Sequence, residues 1–322
     1  MPTQPLAVIG RIISTRPIPG ADLIHQVEAD CRSAGTWMGV AGNGITVGAR
    51  VLVFLQDALL PPDPRWIFME QRGYRVKMAR FKGVPSECVV LDADACAVPG
   101  EPGEDVAALL GVTKYSKPIP TGMAGDAAGA FPVYIPKTDE PNWQTTPEMV
   151  ARMATEHWYA SEKADGTSCT AWVDDAGLHV CSRNWELRER TASGASNVYW
   201  QTARKYGLER LPRGSALQFE IVGPGIQGNP MGLDALEMRA FSLYDIKGRR
   251  YHSAHGLASV CHTLGLPMAR RIAEEQGRDY TPDELRELAA IKYPNGKHGE
   301  GIVIRAMDSS WSFKVINLNY KG

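Results

Sequence analysis

The chain is 322 residues long, 44% hydrophobic and 22% charged, proportions that exclude a disordered or fibrous chain and leave room for two modest cores. No apolar stretch approaches the roughly 20 residues of a membrane helix, and MPTQPLAVIG has neither the basic start nor the apolar run of a signal peptide. The expected location is therefore the cytoplasm, with no membrane contact. A formal net charge of -1 argues against nonspecific coating of nucleic acid but leaves room for a local basic groove.

From Leu6 to about Leu91 the sequence reads as short strands, LAVIGRIIST, LIHQVEA, TWMGVAG, RVLVFLQ and CVVL, separated by turns at Pro19-Gly20, Asn43-Gly44 and Val47-Gly48. Several short strands at this spacing favour a small β-barrel. Between the fourth and fifth lies RGYRVKMARFKG. There Arg75 and Lys77 share one strand parity and Arg80 and Lys82 the other, so a bulge or strand break near Ala79 would bring the cations to one side. A solvated edge strand protected by charge is the alternative. From Val98 to Ala130 the composition shifts to Gly, Pro and Ala, as in a connection between domains, with EDVAALLGV as a short helical candidate.

Beyond Ala130 helices and strands are mixed. A helix starts near Ser253 and stops at Gly265, and TPDELRELAAI carries a capping box from Thr281 to Glu284 with Pro282 at its first position. Two hairpins are legible, SCTAWV-DDAG-LHVCS and GIVIRAM-DSS-WSFKVIN, so this part is α+β with mainly antiparallel strands. The six cysteines, Cys31, Cys88, Cys96, Cys169, Cys181 and Cys261, contain no C-x-x-C pair, so reduced, buried thiols are expected. His252 and His255 read as a helix-capping region rather than a zinc site.

The chemistry-bearing residues come in a fixed order. SEKADGTS places Lys163, Asp165 and Gly166 just before an apolar hairpin strand; alone it is also an ordinary surface turn. Downstream follow Arg183 in CSRN, Glu220 in LQFEIVGPG, Phe241 in AFSLYDI, Glu300 in GEGIVIR and Lys314 in SFKVIN. Charged members lie in or beside apolar strands, where an ionised group is costly unless paired, metal-bound or turned into a wet cleft. Singly, each reads as a solvent-facing or ion-paired strand residue. Together they are the set a site for a triphosphate and a divalent metal would need.

In order and spacing the set resembles the nucleotidyltransferase motifs of the covalent ligase and capping-enzyme superfamily. The resemblance is strongest to ATP-dependent RNA ligases of the Deinococcus type, and it covers nearly the whole chain, including RPIPGADLIHQVEA, FKGVPSECVVL and FPVYIPKTDEPNWQ. It implies an α+β chain in which an OB-fold β-barrel (1–98) is joined by a linker (99–130) to an antiparallel adenylyltransferase domain (131–322) of ATP-grasp-like ligase type. No second OB module is expected after the Lys314 strand. By resemblance Lys163 becomes adenylated and Lys314 contacts the α-phosphate. Glu162, Asp165, Gly166, Arg183, Glu220 and Phe241 bind the nucleotide, with Glu162 at the adenine edge, Glu220 on the ribose and Phe241 stacked on adenine. Asp165 and Glu300 hold Mg²⁺ or Mn²⁺. By charge rather than by resemblance, Arg75, Lys77, Arg80, Lys82, Arg188 and Arg190 could grip RNA or departing pyrophosphate. Ile316 departs from the pattern, standing where many members carry a second lysine; either Lys314 works alone, or Lys321 or another cation substitutes.

The expected reaction joins RNA 3′-hydroxyl and 5′-phosphate ends through a lysyl-AMP formed from ATP. Since a free lysine titrates near 10.4, Lys163 would have to be depressed by Lys314 and the metal. The competing readings are a DNA ligase, a GTP-dependent capping enzyme, and a noncatalytic nucleic-acid-binding protein.

Overall fold

A computed structural model describes residues 5–115, 126–190 and 194–321. The chain divides into two compact units, residues 1–117 with 144–147, and residues 118–143 with 148–322. Among the described residues no helix is long and apolar enough to cross a membrane.

The first unit contains β1 (Ala7–Pro17), β2 (Ile24–Asp30), β3 (Thr36–Gly42), β4 (Arg50–Phe54), β5 (Ala58–Leu59), β6 (Ala79–Phe81), β7 (Val84–Ser86), β8 (Cys88–Asp92) and β9 (Thr113–Lys114). Strands β1, β2, β3, β8 and β4 close into a five-stranded barrel of the OB type. Its pairings are antiparallel except β3 with β8. These five are the strands expected from alternation and turn residues. Closure removes the unpaired edges that an open sheet would expose. Val8, Trp37, Val51 and Val53 pack in one apolar cluster and Ile9, Leu52, Phe54 and Trp66 in another.

EDVAALLGV does not form a helix. The Ile9 N–H donates to Glu104 O at 3.0 Å and the Val106 N–H to Ala7 O at 2.9 Å, so β1 takes the backbone groups a first helical turn would need. Val106, Leu110 and Val112 then bury against the barrel. The stretch 99–115, read as part of a connection, is thus built into the first unit. Residues 116–125 of that connection lie outside the described residues, and Ala127–Ala130 forms a strand of the second unit.

The second unit carries β10 (Ala127–Ala130), β11 (His157–Glu162), β12 (Thr167–Asp174), β13 (Gly177–Cys181), β14 (Trp185–Leu187), α1 (Val198–Lys205), β15 (Ser215–Val222), β16 (Glu237–Asp245), β17 (Arg250–Tyr251), α2 (Ala254–Leu264), β18 (Arg271–Gln276), α3 (Pro282–Leu288), β19 (Gly301–Ala306) and β20 (Ser312–Ile316). A seven-stranded sheet runs β10-β14-β13-β12-β15-β16-β17, and a four-stranded sheet runs β18-β11-β19-β20. Both expected hairpins are present, as β12–β13 and β19–β20. Helices α1 and α2 cover one face of the large sheet, burying Trp200, Ala203, Leu257 and Cys261 against Cys169, Leu217 and Phe219. Helix α2 starts on the Ser253 cap and ends at Gly265 with φ 68°; α3 has the expected capping box. All six cysteines are free and buried.

Candidate active site

Lys163 follows the last residue of β11, and its backbone N–H donates to Gly301 O at 2.9 Å, which fixes it against the start of β19. Its Nζ donates to Glu300 Oε1 at 2.5 Å. Both side chains are recessed, with 26% and 20% of their surfaces exposed. Gly166 is dictated by space: a Cβ there would lie 2.2 Å from Ile221 O and 2.7 Å from Glu220 Cγ. Because Gly166 has no side chain, the loop lies flat on β15, beside Glu220, which pairs across the ladder with Ser168. The lysine motif is thereby held beside Glu300, which precedes β19 of one sheet, and Glu220 on β15 of the other.

In the absence of a metal the surroundings of Lys163 favour its charged form. Burial lowers its pKa, but the carboxylates of Glu300, Glu220 and Asp165 raise it, and the net direction is up. Glu300 is also raised, first by burial and then by Asp165, against the opposing pull of Lys163 and Lys314. Lys163 is therefore held as an ammonium. Depressing it requires added positive charge that draws these carboxylates away; Lys314 alone does not achieve it. Lys314 sits on β20 opposite Val303, and its N–H donates to Pro141 O at 2.8 Å. Ile316 pairs with Gly301, and Lys321 is exposed.

Glu162 is buried; its Oε2 accepts from Arg270 Nε at 3.1 Å and lies 2.8 Å from Nη2 in the ion pair, while Nη2 donates to Lys292 O. Arg183 is half exposed and pairs with Asp139 at 3.2 Å. Phe241 is the extra residue of a bulge, since Gln218 faces Ser242 while Phe219 faces Ala240. A bulge re-aims the side chain it carries, and Arg305 Cζ lies 5.4 Å from the Phe241 ring centroid. Arg305 is buried; it donates to Ser161 Oγ at 3.1 Å and Glu140 Oε1 at 2.8 Å.

Arg270, Arg305 and Tyr320, whose hydroxyl donates to Asp165 Oδ2, were not singled out from sequence. Arg305, a cation inside the apolar run GIVIR, carried the same signal as Glu220. Arg270 and Tyr320 carried none.

The six remaining cations are spread over both units. In the first unit the chain does break before Ala79, where β6 begins, but no single strand presents Arg75, Lys77, Arg80 and Lys82. Arg75 bonds Asp57 at 3.0 Å and lies 3.9 Å from the Tyr115 ring centroid. Arg80 donates to Gly83 O at 2.7 Å, and Lys77 and Lys82 are exposed. In the second unit Arg188 and Arg190 are exposed beyond β14, with Arg190 donating to Gly194 O at 3.3 Å.

Asp165, Glu220 and Glu300 offer oxygen donors, the chemistry that hard divalent cations take. Among the described residues no group of three or more His, Cys, Asp or Glu side chains could hold a metal ion by itself. The donors fit an ion that completes its shell with water and phosphate oxygens, as Mg²⁺ does.

Residues 156–316 match the model of a family described as RNA ligase. Among solved structures, an apo mutant of Naegleria gruberi RNA ligase superposes with a TM-score of 0.83 at 29% identity, covering 99% of this chain and 97% of that one. The same enzyme with PPi gives 0.81 over 98% and 97% at 29% identity. A mutant of it with ATP and Mn gives 0.81 over 97% of each chain, again at 29% identity. No curated protein sequence matches the chain.

Proposed function

Because the chain belongs to the RNA ligase family, we propose that it joins RNA 3′-hydroxyl and 5′-phosphate ends with ATP, through AMP carried on Lys163, and that nicks with RNA on the 3′-hydroxyl side are its substrate. The observation that carries this reading is the contact of Lys163 Nζ with Glu300 Oε1 at 2.5 Å, with Glu220 lying against the lysine loop at Gly166: both carboxylates are distant in sequence and are brought to the lysine motif by tertiary structure.

In the first step Lys163 Nζ attacks the α-phosphorus of ATP. A nitrogen–phosphorus bond forms, the bond to the β-phosphate oxygen breaks, and pyrophosphate leaves. Added positive charge at the site weakens the hold of Glu300 on Nζ, and the lysine proton leaves to solvent. Lys314 and Arg183 meet the phosphate charge, Glu220 the ribose, and Phe241 and Glu162 the adenine. Asp165 and Glu300 would hold a divalent ion, which supplies charge neutralisation at the α-phosphate. In the second step an RNA 5′-phosphate oxygen displaces Lys163 from the AMP phosphorus. In the third the 3′-hydroxyl attacks that activated phosphate and AMP departs. The transferase chemistry is assigned to residues 131–322, where Arg188 and Arg190 would meet RNA or pyrophosphate, and a separate RNA contact to residues 1–98 with Arg75, Lys77, Arg80 and Lys82.

Intact-mass measurement after incubation with ATP and Mg²⁺ tests the first step. Added AMP on the parent chain and none on Lys163→Ala is the expected result; labelling by GTP alone would replace ATP by a capping-type substrate. Paired nicked duplexes with RNA or DNA at the 3′-hydroxyl side test the rest, and equal sealing of both would remove the RNA preference.

A further inference from the structure

The last described turn of the chain reaches back to the lysine motif. Tyr320 donates its hydroxyl to Asp165 Oδ2, and its ring packs with Val222, Met231 and Tyr293. The turn is held by Asn317, which is completely buried. Asn317 Nδ2 donates to Gly299 O at 2.8 Å and Ile291 O at 3.1 Å. Its N–H donates to Glu300 O at 2.9 Å, and its own carbonyl accepts from Tyr320 N at 3.0 Å. One buried amide thus ties the backbone around Glu300 to the turn that presents Tyr320.

We infer that Tyr320, held by Asn317, is a positioning residue that fixes the Asp165 carboxylate for ATP binding and AMP transfer, an inference that rests on the function proposed above. Asp165 lies in the short loop between β11 and β12, where the backbone alone leaves its rotamer free. A donor on Oδ2 selects one rotamer and leaves the other oxygen to face a ligand, so less side-chain freedom is lost on binding. Ion pairing would serve Asp165 less well here, because a cation would compete with Lys163 for the same carboxylates.

The test is Tyr320→Phe in the full chain, which keeps the ring in its cluster and removes only the hydroxyl. Single-turnover AMP transfer to Lys163 at subsaturating ATP is expected to fall on the order of 10-fold. Binding of ATP with Mn²⁺, measured by calorimetry in the Lys163→Ala background where no AMP is transferred, is expected to weaken by a similar factor. The melting temperature should stay that of the parent. Unchanged or faster transfer in Tyr320→Phe, with a parent that forms the adduct, would overturn the positioning role. So would an equal loss in Leu233→Ala, which loosens the same cluster without touching Asp165, since the effect would then be general loosening. A parent that forms no adduct with ATP would instead remove the proposed function itself.

Discussion

Two arginines, one in each unit, are built from the same parts and differ in their surroundings. Arg75 bonds Asp57 at 3.0 Å beside the Tyr115 ring; Arg305 bonds Glu140 at 2.8 Å beside the Phe241 ring. The Arg75 and Asp57 side chains keep 21% and 38% of their surfaces exposed, whereas Arg305 keeps 6%. Water screens the first pair and replaces its bonds when it breaks; in the second, water reaches Glu140, 21% exposed, far better than Arg305. Local chemistry is thus a poor guide to energetic weight until burial is known.

Arg305→Met should show the largest effect, because it leaves the Glu140 carboxylate with the Ser312 hydroxyl but without the Arg305 charge, and withdraws the donor from Ser161 Oγ. Removing one partner of a buried pair costs about 3 kcal/mol or more, read as a lower urea midpoint at constant slope. The double change Arg305→Met with Glu140→Leu should recover much of that loss, since no uncompensated charge remains. If the single change is harmless, the contrast between the two arginines fails.

The sequence made local features legible and long-range ones not. The five barrel strands follow from alternation and turn residues, and the cap of α3 from Thr281, Pro282 and Glu284 alone. The EDVAALLGV prediction failed because β1, far away in sequence, claims its backbone bonds. Within the site, the residues of Lys163, Glu220, Glu300 and Lys314 type were visible as charges in apolar strands. Their protonation was not, because it depends on how many carboxylates the fold gathers around one lysine. The partners of Glu162 and Asp165, namely Arg270 and Tyr320, are more than 100 residues away in the chain, and nothing local marks them.

Two smaller changes sharpen the scale. Thr281→Ala removes the side-chain acceptor for Glu284 N–H and its hydroxyl bond to the Glu284 carboxylate; loss of such a cap costs about 1 kcal/mol. Arg75→Ala should cost less, roughly 0.2–1 kcal/mol, as exposed pairs do. Thermal melts of the two variants in one buffer would rank them, and an Arg75 effect equal to that of Arg305 would show that exposure does not separate the pairs.

The smallest effect is expected at His179, an ion cluster in which the histidine is as exposed as Arg75 and one that pH can titrate. Its Nδ1 lies 2.6 Å from Glu186 and its Nε2 2.9 Å from Asp174, and its ring stacks on Trp172 at 4.8 Å. Both nitrogens donate to carboxylates only in the imidazolium form. Burial opposes that form, but Glu186 and Asp174 outweigh it and hold the His179 pKa above its ordinary 6.5. The bond from His179 in turn holds Asp174 below its ordinary 3.8. A raised group contributes stability that is complete below its unfolded pKa and lost as pH rises through the folded one; a depressed group contributes above its unfolded pKa and loses it as pH falls. The stability difference between the parent and His179→Gln should therefore be largest between about pH 4 and 6.5 and shrink on both sides. Urea midpoints of the two chains across pH 3 to 9 test this, and a difference that does not change with pH would mean that the stacked ring, not its charge, holds the β12–β13 hairpin.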